Sequence, residues 1–413
     1  MSTPTQTPPV FTGIGVVAPN GLGVEAWWNA TLAGEHGIGP VTRFDASGYP
    51  ATLAGEVPGF DAKAHIPSRL LPQTDHMTRL ALTAAEEALT DAKADPEQLP
   101  DFAAGVVTAA SAGGFEFGQR ELQALRSKGG QHVSAYQSFA WFYAVNTGQI
   151  SIRHGLRGPS GVLVTEQAGG LDAIAQARRQ LRKGSSLMVT GGVDGAICPW
   201  GWTAQLAGGR LSTQADPARA YLPFSDAACG HVPGEGGAIL VLEDAQAARA
   251  RGAQTYGELA GYAATFDPAP GRPGGPALRR CIELALEQAQ LTPQQIDVVF
   301  ADAAGVPDLD QQEAQAIGDV FGPYGVPVTA PKTMTGRLSA GGASLDLAAA
   351  LLSVRNGVLP PTVHVAYPAD DHRLDLVTSV RRGLVRAALV LARGHGGFNA
   401  AAVVTDERTH TSA

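Results

Sequence analysis

The reading of the fold turns on Val164-Thr165-Glu166-Gln167-Ala168-Gly169-Gly170-Leu171-Asp172-Ala173. A short apolar strand, Val162 to Val164, runs into a sharp turn of small residues. A helical run, Leu171 to Ala177, follows directly. Strand, tight turn and helix in that order lift the turn residue to the top of a sheet, at a helix N-terminus. Unpaired backbone N–H groups there suit a nucleophile or an anion. Acyl-transfer enzymes commonly place Cys or Ser at such a turn. Here the residue is Gln167, whose amide donates and accepts hydrogen bonds but cannot form an acyl intermediate.

Around this elbow, helices and buried strands alternate. Val10 to Val17 predicts a strand that closes on a Pro19-Asn20-Gly21 turn, and Arg79 to Leu89 predicts a helix. Ala104 to Ala110, Leu187 to Gly192 and Ala238 to Glu243 predict further strands. The order then repeats more briefly: helix Ala277 to Ala289, strand Ile296 to Ala301, a turn-rich linker Pro331 to Gly342, helix Ala343 to Val354, and strands Ala387 to Ala392 and Ala400 to Val404. Such a repeat points to two related α/β halves with mostly parallel central strands. A seam near Gly257 divides the chain into residues 1–257 and 258–413. Pro268 to Pro276 predicts a surface loop.

With 413 residues, 44% of them hydrophobic and 16% charged, the chain is long and apolar enough for a large buried core. A net charge of -8 leaves no footprint for nucleic acid or an anionic membrane. The run Arg178-Arg179 with Arg182-Lys183 is one local basic patch that an acidic carrier protein could use, although a solvated helix face is the plainer reading. Cys198, Cys229 and Cys281 have neither metal-ligand spacing nor an even disulfide count, which fits a reducing cytoplasm and no metal site. Met1 to Pro9 lacks the charged and apolar regions of a signal peptide. No apolar run approaches the roughly 20 residues that span a bilayer. The expectation is a soluble cytoplasmic protein.

Together with the elbow, Leu222-Pro223-Phe224-Ser225-Asp226 and Gly230-His231-Val232-Pro233-Gly234-Glu235-Gly236-Gly237-Ala238 resemble the β-ketoacyl synthase family, over almost the whole chain. The resemblance implies a thiolase-like five-layered α/β/α/β/α duplication. Active condensing members carry Cys at the elbow, two His and a nearby Lys. The first His opens a Gly-rich stretch; counting back from Asp310 and Glu313, its position falls on Asp302, with Gly305 retained. The second ends a Lys-x-x-x-Gly-His run, which here reads Lys332-Thr333-Met334-Thr335-Gly336-Arg337. Cys→Gln, His→Asp and His→Arg fall at the three reacting positions of an otherwise intact frame.

That triple loss, with Glu166 to Asp172, Phe139 to Arg153, Asp194 to Trp202 and Arg393 to Asn399, is similar to the chain length factors, the ketosynthase β subunits of bacterial type II aromatic polyketide synthases. The resemblance implies a heterodimer with a ketosynthase α subunit and substrates carried on the phosphopantetheine of an acyl carrier protein. No other cofactor is expected. It also implies that Phe115, Gly118 and Leu122 share one helical face toward a tunnel common to both subunits, with Phe139 a further wall residue. Gly118 and Leu122 then imply room for a chain longer than an octaketide.

Condensation needs a thiolate to carry the acyl chain and donors that stabilise an enolate. A carboxylate at 302 repels an enolate and an arginine at 337 is no base at neutral pH, so condensation in this chain's own site is not expected. Two readings of Gln167 stand side by side: a plug hydrogen-bonded to the elbow N–H groups, or an amide that promotes malonyl decarboxylation. Lys332 is read as neutralising Glu313 or Asp310, and His154 and His231 as hydrogen-bonding backbone. His395 occupies a position where active relatives often carry Phe. A homodimeric paralogue with a purely structural role is the third possibility.

Overall fold

The computed structural model describes residues 7–269 and 275–407. Positions 270–274 of the Pro268–Pro276 stretch and 1–6 of the N-terminal stretch lie outside the described residues. In the first half, strands β1 (Val10–Ala18), β2 (Ala104–Ala109), β3 (Ser160–Leu163), β4 (Leu187–Asp194) and β5 (Gly236–Glu243) lie in the order β3-β2-β4-β5-β1. In the second, β6 (Gly257–Phe266), β7 (Val298–Phe300), β8 (Pro327–Thr329), β9 (Asp375–Leu376), β10 (Ala387–Gly394) and β11 (Phe398–Thr405) lie in the order β9-β8-β7-β10-β11-β6. Setting β9 aside, the two orders match strand for strand. They meet where Val10 and Phe11 pair with Glu258 and Gly257.

The principal helices are α1 (His76–Asp91), α2 (Phe115–Lys128), α3 (Val145–Arg153), α4 (Gly169–Leu181), α5 (Pro199–Ala207), α6 (Leu278–Ala289), α7 (Pro307–Phe321) and α8 (Gly342–Asn356). Helices α1 and α3 cover one face of the first half-sheet; α4 and α8 fill the space between the half-sheets; α6 covers the outer face of the second. That is the thiolase-like five-layer duplication. Alternation along the strands sorts the side chains. Ala238, Leu240 and Leu242 of β5 enter the central core, while Ile239 and Val241 face α1. Every residue of α8 from Gly342 to Val354 is buried, as a helix flanked by sheet on both sides requires. On β1, Gly13 and Gly15 let α1 approach so closely that an added Cβ would lie 2.1 and 1.9 Å from the carbonyl oxygens of Ala88 and Ala84.

The expected dominance of parallel strands is corrected. β2 runs parallel to β3 and β4, and β7 parallel to β8 and β10, but β5, β1, β11 and β6 are antiparallel to their neighbours. The reason is local at β10–β11. Only the turn 395–397 joins them, with Gly396 and Gly397 at φ 90° and 110°, and so short a connection permits antiparallel pairing alone.

Candidate functional site

The elbow forms as expected. From β3 the chain enters a single 3-10 turn, Glu166–Ala168, with Glu166 at φ 50°, and continues into α4. The side chain of Gln167 is wholly buried. It packs on the first turn of α8, where a Cβ on Gly342 would fall 2.3 Å from Gln167 Nε2. The expected hydrogen bonds to the elbow are not formed: neither Oε1 nor Nε2 has a partner among the described residues. Gln167 is a plug by packing.

Asp302 and Arg337, 35 residues apart, close on each other. Arg337 Nη1 lies 3.1 Å from Asp302 Oδ2, and Nη2 3.1 Å from Oδ1, a bidentate pair. Arg337 also donates to the Asp302 carbonyl at 2.8 Å, and Asp302 Oδ1 accepts the Arg393 N–H at 2.9 Å. Burial alone would push the Asp302 carboxyl up; the charges of Arg337 and then Lys332 overcome it and hold the group below its ordinary value. Burial opposes the Arg337 charge as well, but Asp302 outweighs it and the guanidinium is held more tightly protonated. Both partners are therefore ions.

Lys332 is buried and its partner is Asp346 of α8, 2.7 Å away, which corrects the expected Glu313 or Asp310. It also donates to the carbonyls of Ala301 and Asp302 at 2.8 and 3.0 Å. Glu313 and Asp310 have other work, each receiving two main-chain N–H groups. Glu313 takes those of Asp302 and Ala303, and Asp310 those of Phe224 and Gly305. Two carboxylates of α7 thus knit the loop that presents Asp302. A single charged residue in the run Ala343 to Val354 was the signal for Asp346.

Beside the ion pair opens a cavity of about 710 Å³, whose wall includes Asp302, Arg337, His231 and Phe115. Gln167 is not part of that wall, and neither are Gly118, Leu122 or Phe139. Burial, and then the charge of Arg337, pushes the His231 imidazole down to about 3, so it stays neutral. His231 meets the main chain of Ala304, in keeping with the expected backbone bond, while its Nδ1 and the Nε2 of His154 have no partner among the described residues. His395 donates its main-chain N–H to Glu166 at 2.9 Å, tying the β10–β11 turn to the elbow.

Phe115, Gly118 and Leu122 follow one another along one side of α2, and of the three only Gly118 is buried, as Phe117 and Glu121 are. Phe115 meets Trp200 of α5 with ring centroids 4.6 Å apart, and a Cβ on Gly118 would be 3.1 Å from Trp200 Cζ3. The space that a bare Gly118 leaves is thus taken by an indole from another element, a neighbour not legible from spacing in the chain. Leu122 is exposed and Phe139 half-buried, its ring edge-on to Tyr136 at 5.8 Å. Beside them Leu125, Trp141, Phe142 and Tyr143 also stand exposed. Of the basic run, Arg178 is buried against Gln288 at 2.6 Å, leaving Arg179, Arg182 and Lys183 on the surface.

Two family descriptions fit the chain in succession: the β-ketoacyl synthase N-terminal domain over residues 8–248 and the C-terminal domain over 256–366. The chain belongs to the β-ketoacyl synthase family. It is 63% identical to the actinorhodin polyketide putative β-ketoacyl synthase 2 of Streptomyces coelicolor, over 96% of this chain and 98% of that protein. It is 61% identical to the tetracenomycin polyketide synthase ketoacyl synthase β subunit of Streptomyces glaucescens, over 98% and 99%. Among solved structures, the ishigamide ketosynthase/chain length factor matches with a TM-score of 0.87 at 28% identity, covering 97% of this chain and all of that one. A type II polyketide synthase acyl-carrier protein in complex with its ketosynthase, bound to the hexaketide, matches with the same TM-score, identity and coverage.

Proposed function

We propose that this chain is the β subunit, or chain length factor, of a ketosynthase pair that builds poly-β-keto chains for aromatic polyketides. It performs no condensation alone and contributes one wall of the tunnel in which the chain grows. The observation that carries this reading is the closed Asp302–Arg337 pair. An arginine chelated by a buried carboxylate has its donors spent, and neither group can serve as the neutral imidazole that an enolate needs. With Gln167 at the elbow there is also no thiolate to load. The family's frame is kept while its chemistry is closed down.

A partner of the same fold accounts for the exposed features. β3 is an edge strand with no neighbour on its outer side among the described residues, and Val164 beyond it is exposed. Leu122, Trp141, Phe142 and Tyr143 add an aromatic-rich surface of the kind that obligate interfaces bury. We read these as the face that meets a ketosynthase α subunit, and Phe115, Gly118, Leu122 and Phe139 as wall residues of the shared tunnel. The substrate arrives on the phosphopantetheine of an acyl carrier protein in the cytoplasm; this chain holds no cofactor of its own. The two halves divide near Gly257, where β6 begins the repeat.

The rival reading, malonyl decarboxylation through Gln167, needs that amide to touch substrate. Its complete burial and its absence from the cavity wall count against this. Purifying the chain alone and with an α subunit tests the choice. A stable 1:1 complex that extends malonyl units, with no carrier-dependent CO₂ release from the chain alone, is the expected result. CO₂ release by the isolated chain that Gln167→Ala abolishes would overturn it.

A further inference from the structure

We propose that Asp75 is a positioning residue for product length: its carboxylate joins the first turns of α1 and α2 and so sets where α2 presents Phe115, Gly118 and Leu122. The inference rests on the reading of α2 as tunnel wall. Asp75 is the N-cap of α1, with Oδ1 accepting the Met77 N–H at 2.9 Å. Its other oxygen, Oδ2, accepts the Phe117 N–H at 2.7 Å, 42 residues along the chain. Phe117 stands between the wall positions 115 and 118, so the anchor point lies inside the segment it would position.

Helix α2 needs this bond. Its own N-cap is Gly114, which offers no side chain to the unpaired N–H groups of the first turn. Gly114 also lets the helix start wedge between two neighbours: a Cβ there would lie 2.1 Å from the Ala140 oxygen and 3.0 Å from Asp75 Cβ. The Gly114 N–H meets the Trp141 oxygen at 3.0 Å. One turn further on, Glu121 takes the Ser134 N–H at 2.7 Å, so a second carboxylate ties the same face of the helix to the segment that follows it. Asp75 is nearly fully buried, and burial, against the pull of its two N–H partners, raises its carboxyl to about 6. An ionised carboxylate kept in so dry a place needs both donors. Only a group with two acceptor oxygens at this length bridges the two helices; an amide accepts on one oxygen and turns a donor toward the other N–H.

The test uses the complete complex with its α subunit and acyl carrier protein. Asp75→Ser keeps a good cap for α1 but is too short to reach Phe117 N, and Asp75→Asn keeps the volume and loses one acceptor. Asp244→Asn is the control, because Asp244 caps the helix Ala245–Ala250 through Gln246 and Ala247 in the same manner, away from α2. Products are sized by mass spectrometry, malonyl consumption is timed, and assembly is checked by size exclusion. The expected result is that both Asp75 variants assemble and spread their products over neighbouring chain lengths, with a smaller change in total malonyl consumption. Asp244→Asn should keep the wild-type length. A single wild-type length from assembled Asp75→Ser overturns the proposal, as does failure of both Asp75 variants to assemble, which would make the residue a structural cap. Gly118→Thr with Leu122→Phe separates the two levels. If that pair shifts length and Asp75→Ser does not, only the role of Asp75 falls. If neither shifts it, the reading of α2 falls with it.

Discussion

Replacing Arg337 by Ala should cost far more stability when Asp302 is present than when it is absent. In the wild type, Asp302 is satisfied by two guanidinium nitrogens at 3.1 Å and the Arg393 N–H at 2.9 Å. Arg337→Ala strips two of these three donors from a carboxylate that is 1% exposed. Leaving one member of a buried pair uncompensated costs about 3–5 kcal/mol. The surviving Arg393 N–H and the nearby Lys332 charge put the expectation at the lower end, about 3 kcal/mol. In an Asp302→Ala background no carboxylate remains to strand, and the same substitution loses the carbonyl contacts and the packing of the arginine stem, about 1 kcal/mol. The coupling is therefore about 2 kcal/mol. Denaturant unfolding of the four heterodimers at one protein concentration measures it as a double-mutant cycle. Equal costs in the two backgrounds, within about 0.5 kcal/mol, would refute the view that the two former catalytic positions now form one closed unit.

Gln167→Cys, in a complex whose α subunit has lost its own Cys, should gain no chain extension, since Asp302 and Arg337 supply no imidazole donors; labelled acyl transfer followed by extension would sink that expectation. Gly118→Thr adds atoms where Trp200 Cζ3 already lies 3.1 Å from an added Cβ, and with Leu122→Phe it should shorten the products sized by mass spectrometry. Trp141→Ser with Tyr143→Ser should raise the heterodimer dissociation constant at least about tenfold in analytical ultracentrifugation, as expected for two aromatic anchors. Burial raises the Asp310 carboxyl to about 7, so its protonated form is favoured by the fold. Its contribution is whole below the ordinary carboxylate range and lost as pH rises through about 7, and Asp310→Asn should flatten the fall in stability between pH 5 and 7 by about one proton's worth of slope.

The sequence carried the architecture further than the detail. Val10–Ala18, His76–Asp91 and Gly342–Asn356 were legible within a few residues because burial imposes strong apolar patterns. The elbow was legible because a strand, a run of small residues and a helix can meet in few ways. Strand direction was less so: the turn 395–397 was present in the sequence, but its bearing on the sheet appears only once β10 and β11 are paired. Partners in space were the least legible. Asp346 for Lys332, Trp200 for Gly118 and Asp75 for Phe117 come from other elements, and no spacing along the chain relates them. The positions of Asp302 and Arg337 follow from the spacing of the motifs around them, and their pairing follows from the cost of burying either alone.

The most direct test of the central claim is the product length of a hybrid complex. This chain is paired with the α subunit of a synthase that makes a chain of different length, with one acyl carrier protein throughout. If the chain is a non-condensing β subunit that shapes the tunnel, the products take the length made by this chain with its own α subunit, and removing the α subunit's Cys abolishes them. Products that keep the length of the α subunit's own system, or that persist without that Cys, would contradict the account.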